Sequence, residues 1–316
     1  MQRPTMVRGA VPATMRAARL HAPGGADALA TDEVATPVPR DGDALLRVYA
    51  AALTRNELDW PTDRLPATLS YEVSGEVVAL GPGAKGTSEG DEVYALAPFD
   101  RDGGAAEFMA VPAAVLARKP RTLAHIESAA VPLSALSAWQ ALFDHGRLGR
   151  GERVLVVGAS GGVGHFATQL ARHRGAHVVA TASPATADHV RALGADEVID
   201  HTAADWAASA GPFDLVFDAA GGERLASAAQ LVRDRGRLVS IAEEPPRRDG
   251  IDAVYFIVEP NREQLGQISG LLDAGNLRPS IDAVFALEDA RAAYERAMSP
   301  GKRGKVVLRV VPERRG

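Results

Sequence analysis

The stretch Arg153-Val154-Leu155-Val156-Val157-Gly158-Ala159-Ser160-Gly161-Gly162-Val163-Gly164 constrains the fold of this chain more than any other. Its first half is a run of valine and leucine, the composition of a strand buried on both faces of a parallel sheet. Its second half places Gly161, Gly162 and Gly164 close together, and apolar residues resume at helical spacing in Phe166, Ala167, Leu170 and Ala171. Strand, tight glycine turn and helix in that order form the context in which a glycine motif carries weight. The glycines let a pyrophosphate approach the backbone, and the helix N-terminus offers it free N–H groups and the positive end of a dipole. The pattern departs from strict G-x-G-x-x-G, because Ala159 stands in the first glycine position ahead of Gly161 and Gly164. A glycine turn in an unrelated α/β protein would look the same locally. The following ~100 residues favour a dinucleotide site, because they alternate strand and helix as such a domain should.

Composition removes several function classes. The 316 residues are 46 % hydrophobic and 24 % charged, which is globular and long enough for two cores. A formal net charge of −5 gives no reason to expect nucleic acid as a partner. With no cysteine, disulfides, cysteine zinc ligands and a cysteine nucleophile are excluded together. No run approaches the ~20 apolar residues of a membrane helix, and a cytoplasmic location is expected. Lysine occurs only at Lys85, Lys119, Lys302 and Lys305, and this arginine bias with abundant alanine and glycine points to a GC-rich bacterial genome. Residues 1–14 mix Arg3, Pro4, Arg8 and Pro12 without periodicity or an apolar h-region, and read as a flexible extension.

Residues 15–124 show short strands at 44–50, 73–80, 91–96 and 106–111, separated by glycine turns, the spacing of a small, mostly antiparallel barrel. Residues 126–148 read as helical, with a break at Pro132. Beyond the glycine turn, strands are expected at 177–181, 197–199, 213–218, 236–241 and 253–258, with helices including 185–193 and 223–232. That alternation gives an α/β fold with a doubly wound parallel sheet. A helix at 262–274, a strand at 283–286, a helix at 287–298 and a strand at 305–310 fit a chain returning to its first unit. The division expected is therefore a barrel unit of 15–124 and 261–316, and a dinucleotide-binding unit of 125–260.

The barrel, the Ala159-Ser160-Gly161-Gly162-Val163-Gly164 turn, Leu193-Gly194-Ala195-Asp196 and the terminal Gly304-Lys305-Val306-Val307-Leu308 together resemble the medium-chain dehydrogenase/reductases. Within them the chain resembles the zinc-independent quinone oxidoreductase and enoyl reductase branch. The resemblance implies a GroES-like barrel beside a Rossmann domain, an active site in the cleft between them, and hydride transfer from a nicotinamide. Where zinc members carry Gly-His-Glu, this chain has Ser70-Tyr71-Glu72, and it lacks their cysteines near Thr54 and Leu133. No metal is therefore expected, since zinc needs three or four converging N, S or O ligands.

A site without a metal suits reduction of a quinone or of a C=C bond conjugated to a carbonyl, where the protein supplies proximity and a hydrogen bond or two. Arg55-Asn56-Glu57-Leu58-Asp59-Trp60 resembles the family's Asn-Pro-x-Asp segment beside the nicotinamide. Asn56 is either an orienting amide or the cap of a short helix. Tyr71 is either a proton donor or packing. Thr54 belongs to the expected substrate pocket, and Trp60 either walls that pocket or fills the core. Residues expected at the cofactor are Ser160, Gly161, Gly162, Val163, Thr181, Ser183, His201, Ala219, Phe256, Ile257 and Lys305. The second strand ends Ala180-Thr181-Ala182-Ser183 without the acid that would hold a ribose 2′-OH, and Ser183-Pro184 reads as a helix start, so NADPH is the expected cofactor. No Arg or Lys follows Ser183 directly, and His201 reads as a cofactor contact or a solvated loop histidine. His165 reads as an exposed first-turn residue. Two alternatives stand beside a small-molecule quinone or enone reductase: an enoyl reductase tailoring a biosynthetic intermediate such as a polyketide, and a nucleotide-binding protein without turnover. A homodimer is expected through an open edge of the parallel sheet.

Overall fold

The computed structural model describes residues 11–60, 63–208 and 210–311. Most of the extension expected over 1–14 lies outside the described residues. Eight strands come first: β1 (Thr14–Leu20), β2 (Leu29–Ala35), β3 (Asp43–Leu53), β4 (Ala67–Thr68), β5 (Glu72–Leu80), β6 (Glu92–Leu96), β7 (Phe108–Pro112) and β8 (Ala117–Arg118). Two helices follow, α1 (His125–Ala129) and α2 (Pro132–Trp139), the latter opening on Pro132 where the sequence placed its break. A π-helical turn over Gln140–His145 continues α2.

The second sheet alternates with helices in the order β9 (Arg153–Val157), α3 (Gly164–Arg174), β10 (His177–Ala182), α4 (Ala187–Ala192), β11 (Glu197–Asp200), β12 (Phe213–Asp218), α5 (Gly222–Ala229), β13 (Val232–Ser240) and β14 (Asp252–Tyr255). Its strands are all parallel and lie in the order β11-β10-β9-β12-β13-β14. Counted from β9, that is 3-2-1-4-5-6, the order of a doubly wound dinucleotide-binding sheet, with its crevice where the order reverses between β9 and β12. Val154 and Val156 face one side of the sheet and pack with Phe166 and Leu170 of α3, while Leu155 and Val157 pack on the other with Leu225 and Ala228 of α5.

The chain then forms α6 (Arg262–Asp273), β15 (Ile281–Ala286), α7 (Ala290–Met298) and β16 (Lys305–Arg309). β16 pairs antiparallel with β3, so the end of the chain closes the first sheet, ordered β15-β16-β3-β5-β6-β8 with β7 also on β3. Helix α6 lies in the seam: its Leu265 and Ile268 share one core cluster with Tyr94 and Leu96 of β6 and with Leu170 of α3. Among the described residues no helix is long and apolar enough to cross a membrane.

Several boundaries differ from expectation. β14 ends at Tyr255 and not at 258, because after a last backbone bond from Phe256 N–H to Ser240 O at 3.3 Å the chain leaves the sheet, and its continuation is held instead by a side chain, Gln140, which exchanges two hydrogen bonds with the backbone of Glu259. α5 stops at Ala229, since Val232 is buried and already paired with Phe213 at the start of β13; a register shift in that pairing hides the early strand from a periodicity argument. The helix expected from Ser183 begins at Ala187, with Thr186 in the cap position. Residues 183–186 form a turn, closed by Thr186 N–H donating to Ser183 O at 3.0 Å.

Candidate active site

The glycine turn sits at the C-terminal end of β9, at the crevice of the parallel sheet. Gly158 holds φ at +83°, and Gly161 N–H donates back to Gly158 O at 3.1 Å. A Cβ on Gly164 would collide with Gly158 O, and one on Gly162 would lie 2.7 Å from the Lys305 stem. The turn is therefore a cradle that side chains would fill, and among the described residues the N–H groups of Gly162 and Val163 meet no acceptor. That arrangement fits a pyrophosphate. Ser160 is half-buried beside it, with its carbonyl accepting from Gly304 N–H at 2.9 Å.

Other expected cofactor residues divide into those around the cradle and those that support it. Thr181 is buried, and its hydroxyl accepts from Gly158 N–H at 3.1 Å, so it braces the turn from behind. Ala219 follows β12 and lies against Gly158. Ser183 is half-buried, its hydroxyl 3.1 Å from that of Thr186. His201 is half-buried too, and burial followed by the nearby Arg224 charge lowers its pKa. The Phe256 ring meets that of His145 at a tilt, centroids 4.3 Å apart, whereas Ile257 is 65 % exposed.

His165 is buried, not exposed. Gly161 O can only accept, so the Nδ1 that lies 3.1 Å from it carries the proton, and Nε2 accepts from Ser280 N–H at 3.2 Å. Burial pushes its pKa down to about 4, which keeps the ring in this neutral form. The histidine thus pins the glycine turn to the segment entering β15.

The second half of the site comes from the barrel. Lys305 is buried; its Nζ forms an ion pair with the fully buried Glu72 and donates to Thr54 Oγ1 at 3.2 Å. Burial pushes the Glu72 carboxyl up, and the Lys305 ammonium pulls against that shift. Thr54 is half-buried, while Asn56 is exposed at the start of a 3-10 turn over Glu57–Asp59 and makes no side-chain cap. Tyr71 is buried, with its ring 5.9 Å from Trp60 and 5.3 Å from Phe99, and its hydroxyl accepts from Arg64 at 2.6 Å. Burial pushes that phenol up to about 12, which makes it a poor acid at neutral pH. Trp60 is 37 % exposed and meets Phe99 edge-on, so it serves as wall and packing at once.

Residues that the sequence did not single out complete the site. Glu57 is buried beneath Thr54, accepting from Thr54 N–H at 3.0 Å, Tyr71 N–H at 3.1 Å and Tyr294 Oη at 3.3 Å. Lys302 has its ammonium pushed down to about 8 by burial and by the charges of Lys305 and Arg55. The only sequence signal for the basic group was the Lys302-Arg303-Gly304-Lys305 run itself.

The alcohol dehydrogenase GroES-like domain family matches residues 40–121, and a family described as zinc-binding dehydrogenase matches residues 193–308. A probable mitochondrial zinc-binding oxidoreductase of Arthroderma benhamiae is 35 % identical, over 95 % of this chain and 98 % of that protein. The chain belongs to the medium-chain dehydrogenase/reductase superfamily. Like other medium-chain reductases it joins a GroES-like barrel to a Rossmann sheet, and it is an oxidoreductase. A 2-methylene-furan-3-one reductase of Solanum lycopersicum is 33 % identical over 96 % of this chain and 81 % of that protein. The structure of the quinone oxidoreductase from Coxiella burnetii superposes with a TM-score of 0.87 at 28 % identity, over 94 % of this chain and 100 % of that one.

Zinc does not fit the residues of this medium-chain reductase. By the resemblance, zinc members place a ligand at the position of Tyr71 and others near Thr54 and Leu133; here the ammonium of Lys305 approaches Thr54. A leucine, a phenol raised to about 12 and a cation make no donor set. Among the described residues no three His, Asp or Glu side chains group to hold a metal.

Proposed function

We propose that the protein is an NADPH-dependent reductase of quinones or α,β-unsaturated carbonyls that works without a metal. The observation that carries this reading is one contiguous junction. The glycine cradle touches Lys305, Lys305 bonds Thr54 and Glu72, and the Trp60–Tyr71–Phe99 rings lie beside them. A bound reduced nicotinamide supplies hydride to an electron-poor carbon or quinone ring. Because Lys305 donates to the Thr54 oxygen, the hydroxyl proton of Thr54 is left to point at an acceptor, here the substrate oxygen that gains negative charge. The aromatic wall suits a planar conjugated substrate, and the Tyr71 hydroxyl is suited to packing and hydrogen bonding, not to proton transfer at neutral pH. Support for the substrate class comes from relatives named for enone and quinone reduction. Support for NADPH comes from the missing acid at Ser183.

NADPH oxidation with a panel of quinones and enones tests the reading, repeated after dialysis against a strong chelator. Turnover that survives dialysis is expected. Loss of activity restored by zinc overturns the metal-free part, and NADPH binding without turnover of any acceptor points to the non-catalytic alternative.

A further inference from the structure

The turn at Ser183 lacks a basic neighbour in sequence, but the fold brings one from the far end of the chain. Arg303 lies in the loop between α7 and β16, and its Nη2 donates to Ala185 O at 2.7 Å, within the turn of residues 183–186. Its backbone N–H is fixed by Asp282 Oδ1 at 3.0 Å, and the adjacent Gly304 N–H donates to Ser160 O at 2.9 Å. The loop therefore bridges the glycine cradle and the Ser183 turn, the two places where a dinucleotide sets its pyrophosphate and its adenosine ribose. The guanidinium is exposed and, among the described residues, has no carboxylate at ion-pair distance, which leaves most of its N–H donors free.

Positive charge accumulates around this loop although the chain as a whole carries −5. The His189 ring feels both Arg303 and Arg278, and its Nε2 is buried without a partner. Lys302 feels Lys305, Arg55 and Arg296, with Asp282 as the opposing charge. Of these cations Lys305 is neutralised by Glu72, whereas the Arg303 guanidinium, among the described residues, forms no ion pair; nearby Asp282 takes the Arg303 backbone N–H and pairs with Arg296. A phosphomonoester carries about −1.5 to −2 at neutral pH and offers the geometry a planar guanidinium fork takes up.

We infer that Arg303, anchored on Ala185 O and assisted by the Ser183 hydroxyl, reads the 2′-phosphate of NADPH and sets the preference over NADH. The inference rests on the dinucleotide reading of the glycine cradle. Arg303 adds a charge that a free 2′-OH cannot use, so it raises affinity for one cofactor and not the other.

Equilibrium titration calorimetry of the full chain tests it, with NADPH, NADH, 2′,5′-ADP and 5′-AMP as ligands for wild type, Arg303→Gln and Arg303→Lys. Loss of a charge-assisted contact predicts that Arg303→Gln lowers the NADPH:NADH affinity ratio and the 2′,5′-ADP:5′-AMP ratio together, by roughly 10- to 100-fold. Arg303→Lys, which keeps the charge and loses the fork, should recover part of both. A wild type that binds NADPH and NADH alike overturns the NADPH reading itself. A wild type that discriminates while Arg303→Gln keeps both ratios within about twofold overturns the role of Arg303 and leaves that reading standing. An equal loss for all four ligands also overturns it, since that is the mark of a structural or pyrophosphate role.

Discussion

Glu57 carries three hydrogen-bond donors on its two oxygens, yet full burial still pushes its carboxyl up to about 7. Between its ordinary value of 4.5 and about 7 the folded protein holds a proton that the unfolded chain has released, so stability falls as pH rises through that window. The shift corresponds to as much as about 3 kcal/mol at full effect. His165 acts in the opposite sense: its pKa falls from 6.5 to about 4, so its contribution is present above 6.5 and is lost as pH falls toward 4. The two slopes oppose each other between 4.5 and 6.5. Glu57→Gln removes the first of them, so the variant's stability should rise more with pH across that window than wild type's does. Urea denaturation of both proteins from about pH 4.5 to about pH 8 checks this; parallel pH profiles would show that Glu57 does not titrate as described. Neither group was legible from sequence, because Tyr71 and Tyr294 reach Glu57 from 14 and 237 residues away, and Ser280 reaches His165 from 115.

At the level of elements, periodicity located every long strand of the parallel sheet, while ends went astray where side chains took over backbone pairing. Gln140, in the π-helical turn after α2, is the clearest case. Its Nε2 donates to Glu259 O at 2.8 Å and its Oε1 accepts from Glu259 N–H at 3.1 Å, which mimics a strand partner and holds the segment containing Phe256 and Ile257. Gln140→Ala leaves both backbone groups without their partner and should cost about 1–3 kcal/mol. Hydrogen exchange at the Glu259 amide should accelerate with it. Unchanged protection there would mean that the segment is held by packing alone.

For the molecule as a whole, β14 is the outer strand of the parallel sheet, half-buried to exposed along its length, and Ile257 just beyond it is 65 % exposed. An edge with no partner strand among the described residues, followed by an exposed apolar side chain, favours pairing with its copy about a two-fold axis. Light scattering at micromolar concentration should return twice the 33.1 kDa chain mass; a monomer would remove that expectation. Seam packing belongs to this scale as well. Helix α6 places Leu265 and Ile268 against residues of both sheets, and Tyr94 of the barrel donates to Leu265 O at 2.6 Å.

Local chemistry was enough to place the glycine cradle, the alternation that makes a doubly wound sheet and the strand-and-turn barrel. Each follows from residues adjacent in the chain, such as the valines of β9 against the glycines that follow. Only tertiary structure decided which charges meet. Lys305 finds Glu72 and Thr54, His165 becomes a neutral buried strut, and Arg303 reaches the turn after β10 across 118 residues. Electrostatic and hydrogen-bond partners are chosen by distance in space, and strand β16 closing onto β3 sets those distances without leaving a periodic mark in the sequence.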